Sequence, residues 1–433
     1  MPRDATQLNK VPTVSRVAGD TIIELVYDRT NRTTGLVVSR FGGLWNIEQD
    51  VRIEGELLVP YSPCNNLIAH DCVLLPSRPE EFGSVSGLVA DIEAFLHRYV
   101  DLSPIFERIA SHYVLLSWVH DAFSEVPYLR LQGAYGSGKT RGLIAIGSLC
   151  YKPFFAAGAS TVSPIFHTLD RFGGTLVLDE ADFRFTDATA DLVKVLNNGT
   201  VKGLPVLRTI QDRNREFNPA AFKVFGPKLI AMRGSFDDDA LESRFLTEVT
   251  GTRPLRADIP LQLPAALHEE ARVLRNRLLH FRLCSLFSIT AKPELASPAL
   301  DPRLNQISLP LLSLVDDPAL RRDIQTLLSS GQQRWREDRS LSIEARVLRA
   351  TLEAMSGATA AGLPVQAIAD RLSRSWQPEM GRAPSAKLVG GVLKSAFRIQ
   401  TRKSHGVYVV SVEDRTKLEA MAVQYHIPAD ANV

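Results

Sequence analysis

Residues 133 to 140 read Gly-Ala-Tyr-Gly-Ser-Gly-Lys-Thr, which satisfies the pattern G-x-x-x-x-G-K-[ST]. These residue types at this spacing suit the holding of phosphate. The glycines let backbone N–H groups turn inward around a β-phosphate, and a helix starting just after them adds the positive end of its dipole. On this reading Gly133, Ala134, Tyr135, Gly136, Ser137 and Gly138 cradle a nucleotide. Lys139 meets the β- and γ-oxygens, and Thr140 sets its hydroxyl on Mg²⁺. The plain alternative is a glycine-rich turn joining a strand to a helix. The flanks, strand-like YLRLQ and helix-like RGLIAIGSL, supply the setting that the phosphate reading requires.

Two acids answer this loop. Residues 175 to 180, TLVLDE, form a leucine-rich and β-branched run ending in Asp179 and Glu180. A buried parallel strand delivers its last residues to the ligand edge of its sheet, so Asp179 is placed to hold the Mg²⁺ water shell and Glu180 to polarise an attacking water. Alone, the pair would read as solvated acids at a strand end. With the loop, it predicts ATP hydrolysis assisted by Mg²⁺. The strand-helix pair before it (PFFAA, then a helix after Thr161) points to the additional-strand branch of P-loop proteins.

With these residues in place the chain resembles the AAA+ ATPases, from about Ser103 to Leu314. The segment 238 to 245, Asp-Asp-Ala-Leu-Glu-Ser-Arg-Phe, resembles the D-x-A-L-x-S-R-F stretch of minichromosome-maintenance-like helicases, a group similar to the replication helicases of phages and mobile elements. The resemblance implies that Arg244 reaches the γ-phosphate held by a neighbouring subunit, where a fixed guanidinium offsets charge on the transferred group. An ion pair with the preceding aspartates is the other reading of Arg244. Family members often carry a polar residue just past the strand KLIAMR to orient the lytic water; Met232 cannot do this, which leaves Arg233. Arg303 resembles the second sensor arginine and would bind nucleotide. Arg275 and Arg277 compete for that role, and solvated helix faces would account for all three. The stretch between Val201 and Phe225 resembles a pore hairpin whose tip, with Arg213 and Arg215, grips a phosphate backbone; a hairpin with a solvated polar tip is the ordinary alternative.

The elements that must position these groups fall into four segments. Residues 1–84 are β-rich (TIIELVYD, TGLVVSRF, VRIEGELLVPY) and predict a small β domain. Residues 85–255 alternate strand-like and helix-like pieces, which predicts an α/β P-loop core, a mostly parallel sheet between helices. Caps at Ser84 and Ser103-Pro104 open the two helices before it. Residues 256–335 read as an all-helical lid, and the charged run 334–339 as a linker. Residues 341–433 read as three helices, a strand, a turn, a strand and a helix, the order of a winged helix-turn-helix. There Lys387 and Lys394 on the third helix, with Arg398, Arg402 and Lys403 on the wing, form a basic cluster suited to DNA phosphates.

The bulk numbers exclude several classes. The chain has 433 residues and 45% hydrophobic content, enough for two to four packed units. Fifty basic against 48 acidic residues leave a formal charge of only +2, so any nucleic-acid surface is local. Four irregularly spaced cysteines fit a reduced compartment, and neither a secretion signal nor a membrane span is expected, which points to the cytoplasm. Cys64, His70 and Cys72 have no fourth partner and no usual zinc spacing. Taken together, the sequence predicts an ATP-dependent DNA helicase or translocase acting as a homo-oligomeric ring, a hexamer, in replication of a phage or mobile element. The alternative is an ATP-switched assembly factor on DNA that does not unwind it.

Overall fold

Six of the eight residues of TIIELVYD are buried, and the fold uses both faces of that strand. The computed structural model describes residues 9–40, 43–158, 160–181, 187–211, 217–236, 238–355, 357–358, 362–376, 384–404, 406–425 and 427. Strand Thr21–Asp28 sits inside a four-stranded antiparallel sheet with Ser15–Ala18, Thr33–Arg40 and Leu44–Glu48. Its Ile22 and Val26 join the apolar cluster that contains Leu96, Trp118, Leu129 and Leu278. Its Ile23 and Leu25 join a second cluster with Tyr128, Leu176 and Phe245. A sheet buried on both faces cannot stand alone, and the first 328 residues accordingly form one compact unit. The run VRIEGELLVPY is not one strand: Val51–Ile53 and Glu56–Pro60 pair antiparallel around Glu54-Gly55. Both turn residues have positive φ, 49° and 82°, as a two-residue hairpin matching strand twist demands.

Helices Val85–Tyr99 and Pro104–Trp118 begin where Ser84 and Ser103 accept backbone N–H bonds from Gly87 and Phe106. Beside them lies the central sheet, five parallel strands in the order Phe245–Val249, Tyr128–Gln132, Lys228–Met232, Leu176–Asp179, Phe154–Ala157. Strand Lys228–Met232 therefore separates the phosphate-loop strand from the strand ending in Asp179. The edge strand Phe245–Val249 escaped the sequence reading. Helices Ala266–Ser285 and Pro302–Leu314 pack on this body through Leu278, Leu279, Leu311 and Leu312.

A buried ionic cluster ties these parts together. Glu24 Oε2 meets Lys152 Nζ at 2.6 Å, and Glu24 Oε1 meets Arg282 Nε at 2.8 Å, all three side chains being 1% exposed. Arg282 makes a two-pronged bond to the partly buried Asp121, 2.7 Å on each oxygen, and donates to the Trp118 carbonyl at 2.6 Å. Tyr151 adds its hydroxyl to Glu24 at 2.8 Å. Two acids and two bases close the charge, and removing one partner of such a set strands a buried charge at about 3–5 kcal/mol.

The unit Ser329–Val433 is a second compact body. The charged run 334–339 expected as a linker is the end of a helix, Pro318–Ser340. Helices Ile343–Met355, Val365–Arg374 and Ala386–Ser395 enclose Leu348, Ile368, Val389, Leu393 and Phe397. A three-stranded antiparallel sheet adjoins them in the order Leu363–Pro364, Val407–Val410, Arg402–Ser404, followed by helix Arg415–Gln424. The strand Leu363–Pro364 was not anticipated, and the first strand of the hairpin starts at Arg402 rather than Arg398. Among the described residues no helix is long and apolar enough to cross a membrane.

The cluster makes the fold acid-sensitive. Burial opposes ionisation of Glu24 and Asp121, but Lys152 and Arg282 beside the first, and Arg282 beside the second, hold both carboxyls below their ordinary range. A carboxyl lowered in the folded state contributes stability that is complete above its unfolded value of about 4 and is lost as pH falls through the folded one. Urea midpoints of the full chain from pH 7 to pH 3 should therefore drop steeply below about pH 4. Asp121→Asn should lower the midpoint at pH 7 and flatten that acid limb; an acid limb of unchanged slope would refute the assignment.

Candidate nucleotide site and basic surfaces

The loop from Gly133 to Gly138 leaves strand Tyr128–Gln132 and enters helix Lys139–Leu149. The three glycines answer two constraints. Gly136 and Gly138 take φ of +75° and +89°, the left-handed region that costs residues with a Cβ. A Cβ on Gly133 would lie 2.5 Å from Thr250 Oγ1 and 2.7 Å from Ser137 Oγ, so this position needs close approach. Over Gly136 and Gly138 nothing lies within 4 Å of a built Cβ, so these two positions border open space. Ala134 and Tyr135 form the exposed tip. Lys139 folds back and donates to the carbonyls of Gly133 at 2.8 Å and Ala134 at 2.7 Å.

Thr140 donates to Asp179 Oδ2 at 2.7 Å, across the intervening strand. The next residue, Glu180, accepts a positive φ of 55°, and its N–H bonds Asp179 Oδ1 at 2.9 Å. That kink ends the strand and leaves the Glu180 side chain exposed beside the loop's acid. Its carbonyl occupies the space where a Cβ on Gly158 would be, 2.5 Å away, so the neighbouring strand end must be bare. A hydroxyl, a carboxylate and an adjoining carboxylate gathered at a nest of N–H groups and a lysine are hard oxygen donors fit for Mg²⁺ beside a polyphosphate.

Arg244 lies at the opposite edge of the sheet. Its carbonyl accepts from the Tyr128 N–H, at the start of the strand whose other end carries the loop. Six extended residues, roughly 20 Å, separate it from Thr250 at Gly133. The guanidinium feels the charge of Asp238 and donates to the carbonyls of Asn197 and Leu196, the end of helix Asp187–Asn198, where a cation is favoured. Asp238 also caps the helix Asp239–Glu242 at Ala240 N, 2.8 Å. Burial, then the nearby Arg303 guanidinium, push the Arg244 guanidinium below its ordinary value. Glu125 stands close to both arginines, its carboxyl raised by burial. Arg303 is thus brought beside Arg244, not to its own chain's phosphate loop. The competing arginines are engaged elsewhere: Arg275 is buried and donates to the Ser148 carbonyl at 2.6 Å, and Arg277 pairs with Asp91 at 2.7 Å. Met232 is buried, and Arg233 is exposed at the strand end.

Two contacts had no signal in the sequence. Thr250 closes over the loop, its Oγ1 2.8 Å from Ser137 Oγ, just past the end of strand Phe245–Val249. Arg130, in the loop strand, bonds Glu242 at 2.5 Å and Thr247 at 3.1 Å, joining that strand to the segment bearing Arg244.

Strands Val206–Gln211 and Phe217–Phe222 pair antiparallel as a hairpin, anchored by Arg208 on Asp191 at 2.9 Å. Arg213 and Arg215 lie outside the described residues. In the second unit Lys387 and Lys394 are exposed on helix Ala386–Ser395; Arg398 sits in the turn after it with φ of 51°, and Arg402 and Lys403 are exposed on the first hairpin strand.

No protein family and no curated protein matches the chain. Among solved structures, it is similar to the apo C-terminal region of NrS-1, at 11% identity over 90% of this chain and 96% of that one, with a TM-score of 0.38. It is similar to SCCmec type IV Cch, described as an active helicase, at 11% identity, 94% and 96% coverage and a TM-score of 0.30. It is also similar to the JCV helicase, at 17% identity, 57% and 66% coverage and a TM-score of 0.24. Scores this far below 0.5 leave the functional argument to the residues themselves.

The packing at Gly133 gives a direct test. Gly133→Ala should weaken ATP binding at least tenfold by titration calorimetry and also lower the thermal midpoint, because the added methyl meets the Thr250 carbonyl as well as the Thr250 and Ser137 hydroxyls and pushes the loop from Thr250. Unaltered affinity would show that the loop conformation does not hold nucleotide.

Proposed function

We propose that this chain hydrolyses ATP with Mg²⁺ and uses the cycle to move along DNA, as a helicase or translocase assembled into a homo-oligomeric ring. The observation that carries this reading is the 2.7 Å bond between Thr140 and Asp179, which brings a hydroxyl and a carboxylate together beside the phosphate loop. Mg²⁺ held there would neutralise charge on the β- and γ-oxygens. Lys139 exchanges two loop carbonyls for those oxygens, the N–H groups around Gly136 and Gly138 bind the β-phosphate, and Glu180 orients the attacking water.

Arg244 and Arg303 stand together at the other sheet edge, so a neighbouring copy supplies them, and a ring of such copies, a hexamer, repeats the arrangement. Three helices with a three-stranded sheet in 341–433 support a winged-helix reading; its basic residues and the hairpin tip at Arg213 and Arg215 would contact DNA. Segments 1–84, 85–255 and 256–335 then act as β-rich support, AAA+-like ATPase core and helical lid. Replication of a phage or mobile element, in the cytoplasm, is the setting that suits such a motor.

Strand displacement by purified protein with ATP and Mg²⁺ tests the motor; brisk hydrolysis with neither displacement nor translocation would replace it by an ATP-switched assembly factor. Two substitutions test the chemistry. Glu180→Gln should retain ATP binding and lose at least about a hundredfold in turnover. Arg244→Ala should lose on the order of a thousandfold, and activity should return in oligomers mixed with Lys139→Ala chains, since each then supplies what the other lacks. Activity in Arg244→Ala alone would contradict a shared site.

A further inference from the structure

In the second unit the third helix and the hairpin enclose a groove of about 800 Å³, within the size range that buries an organic ligand. Lys387 and Lys394 lie on its helix wall two turns apart, about 10 Å along the axis. Gly390 stands between them, and a Cβ built there would touch nothing nearer than a Val365 methyl at 4.0 Å, so the wall between the lysines is bare. Tyr408 forms the hairpin wall. Its side chain is 60% exposed, and among the described residues no hydrogen bond or ring contact holds it. Lys403 is its direct cross-strand partner, on the same face of the hairpin. Gln366 and Gln400 supply amides, and none of the described lining residues is acidic.

We infer that this groove binds single-stranded nucleic acid, with an unpaired base stacked on Tyr408 and its flanking phosphates on Lys387, Lys394 and Lys403. Three ammonium groups with no acid among them select a polyanion. The bare aromatic face selects among polyanions, because a duplex keeps its base faces covered by stacking, whereas a single strand offers them. The amides can pair with base edges but are too few to fix a sequence. The inference rests on the nucleic-acid reading above and narrows it to one strand and one platform.

Anisotropy of a fluorescein-labelled oligothymidylate, and of a hairpin duplex of equal length, on the full chain without nucleotide decides it. Tyr408→Ala should weaken single-strand binding by about 5- to 100-fold, with duplex binding changed less than twofold, and Tyr408→Phe should bind as the parent does. Lys394→Ala should reduce the salt slope of single-strand binding by about 0.7. Equal losses on both nucleic acids, no loss in Tyr408→Ala, or displacement by polyglutamate as effective as by unlabelled oligothymidylate would each overturn the inference. ATP hydrolysis measured on the same samples separates the two levels. A parent chain that hydrolyses ATP and binds DNA while Tyr408→Ala is indifferent removes only this inference, whereas a parent inert to both ATP and DNA removes the wider reading with it.

Discussion

All five strands of the central sheet run the same way, and this polarity divides the chain's chemistry between two edges. The ends of strands Tyr128–Gln132 and Leu176–Asp179 bring the phosphate loop and Asp179 together, because parallel strands deliver their last residues to one side. The strand between them is as important as either. Lys228–Met232 spaces loop from acid so that Thr140 and Asp179 meet through side chains and leave room for a ligand between their backbones. The beginnings of the strands carry Arg244 to the opposite edge, and no side-chain motion spans that distance. If Arg244 serves a γ-phosphate, as proposed, that phosphate belongs to a second copy.

Holding the edges apart requires a rigid body, and the ionic cluster around Glu24 supplies part of that rigidity. Apolar packing alone would let the N-terminal sheet and helix Ala266–Ser285 slide on the core, since dispersion contacts are individually weak and non-directional. Glu24, Lys152, Asp121 and Arg282 fix the register of four chain segments through bonds of 2.6 to 2.8 Å. The net stability of such a set is small; its value lies in geometry, since each charge tolerates no other arrangement.

The chemistry was legible in the sequence where it depends on local spacing, and obscure where it depends on distant partners. The phosphate loop and the strand ending in Asp179 announce themselves within a few residues, as do the caps at Ser84 and Ser103. Glu24 reads as an outward-facing residue of an ordinary strand, yet its partner Arg282 lies 258 positions away and leaves no local trace. Strand Phe245–Val249 was hidden because Glu248 interrupts its apolar pattern; that carboxylate is 8% exposed and accepts from the backbone and hydroxyl of Ser103 at 2.7 Å. The run 334–339 was read as a linker because a solvated helix face and an extended connector share the same charged composition. The helix end that receives the Arg244 guanidinium, at Leu196 and Asn197, lies nearly fifty positions upstream and likewise leaves no local trace.

The bond between Arg130 and Glu242 joins these arguments. Arg130 projects from the middle of the phosphate-loop strand, and Glu242 lies two residues before Arg244. The same Glu242 oxygen accepts the Phe236 N–H at 2.5 Å, so the chain leading into Arg244 is fastened at both ends of its short helix. Both side chains are largely buried, which strengthens the pairing and penalises its loss. A cation intended for a neighbour's triphosphate gains most when its position is fixed before the copies meet, because little ordering entropy then remains to be lost on assembly. In the proposed assembly, the strand that carries one chain's phosphate loop would therefore also serve as the mount for the arginine presented to the next.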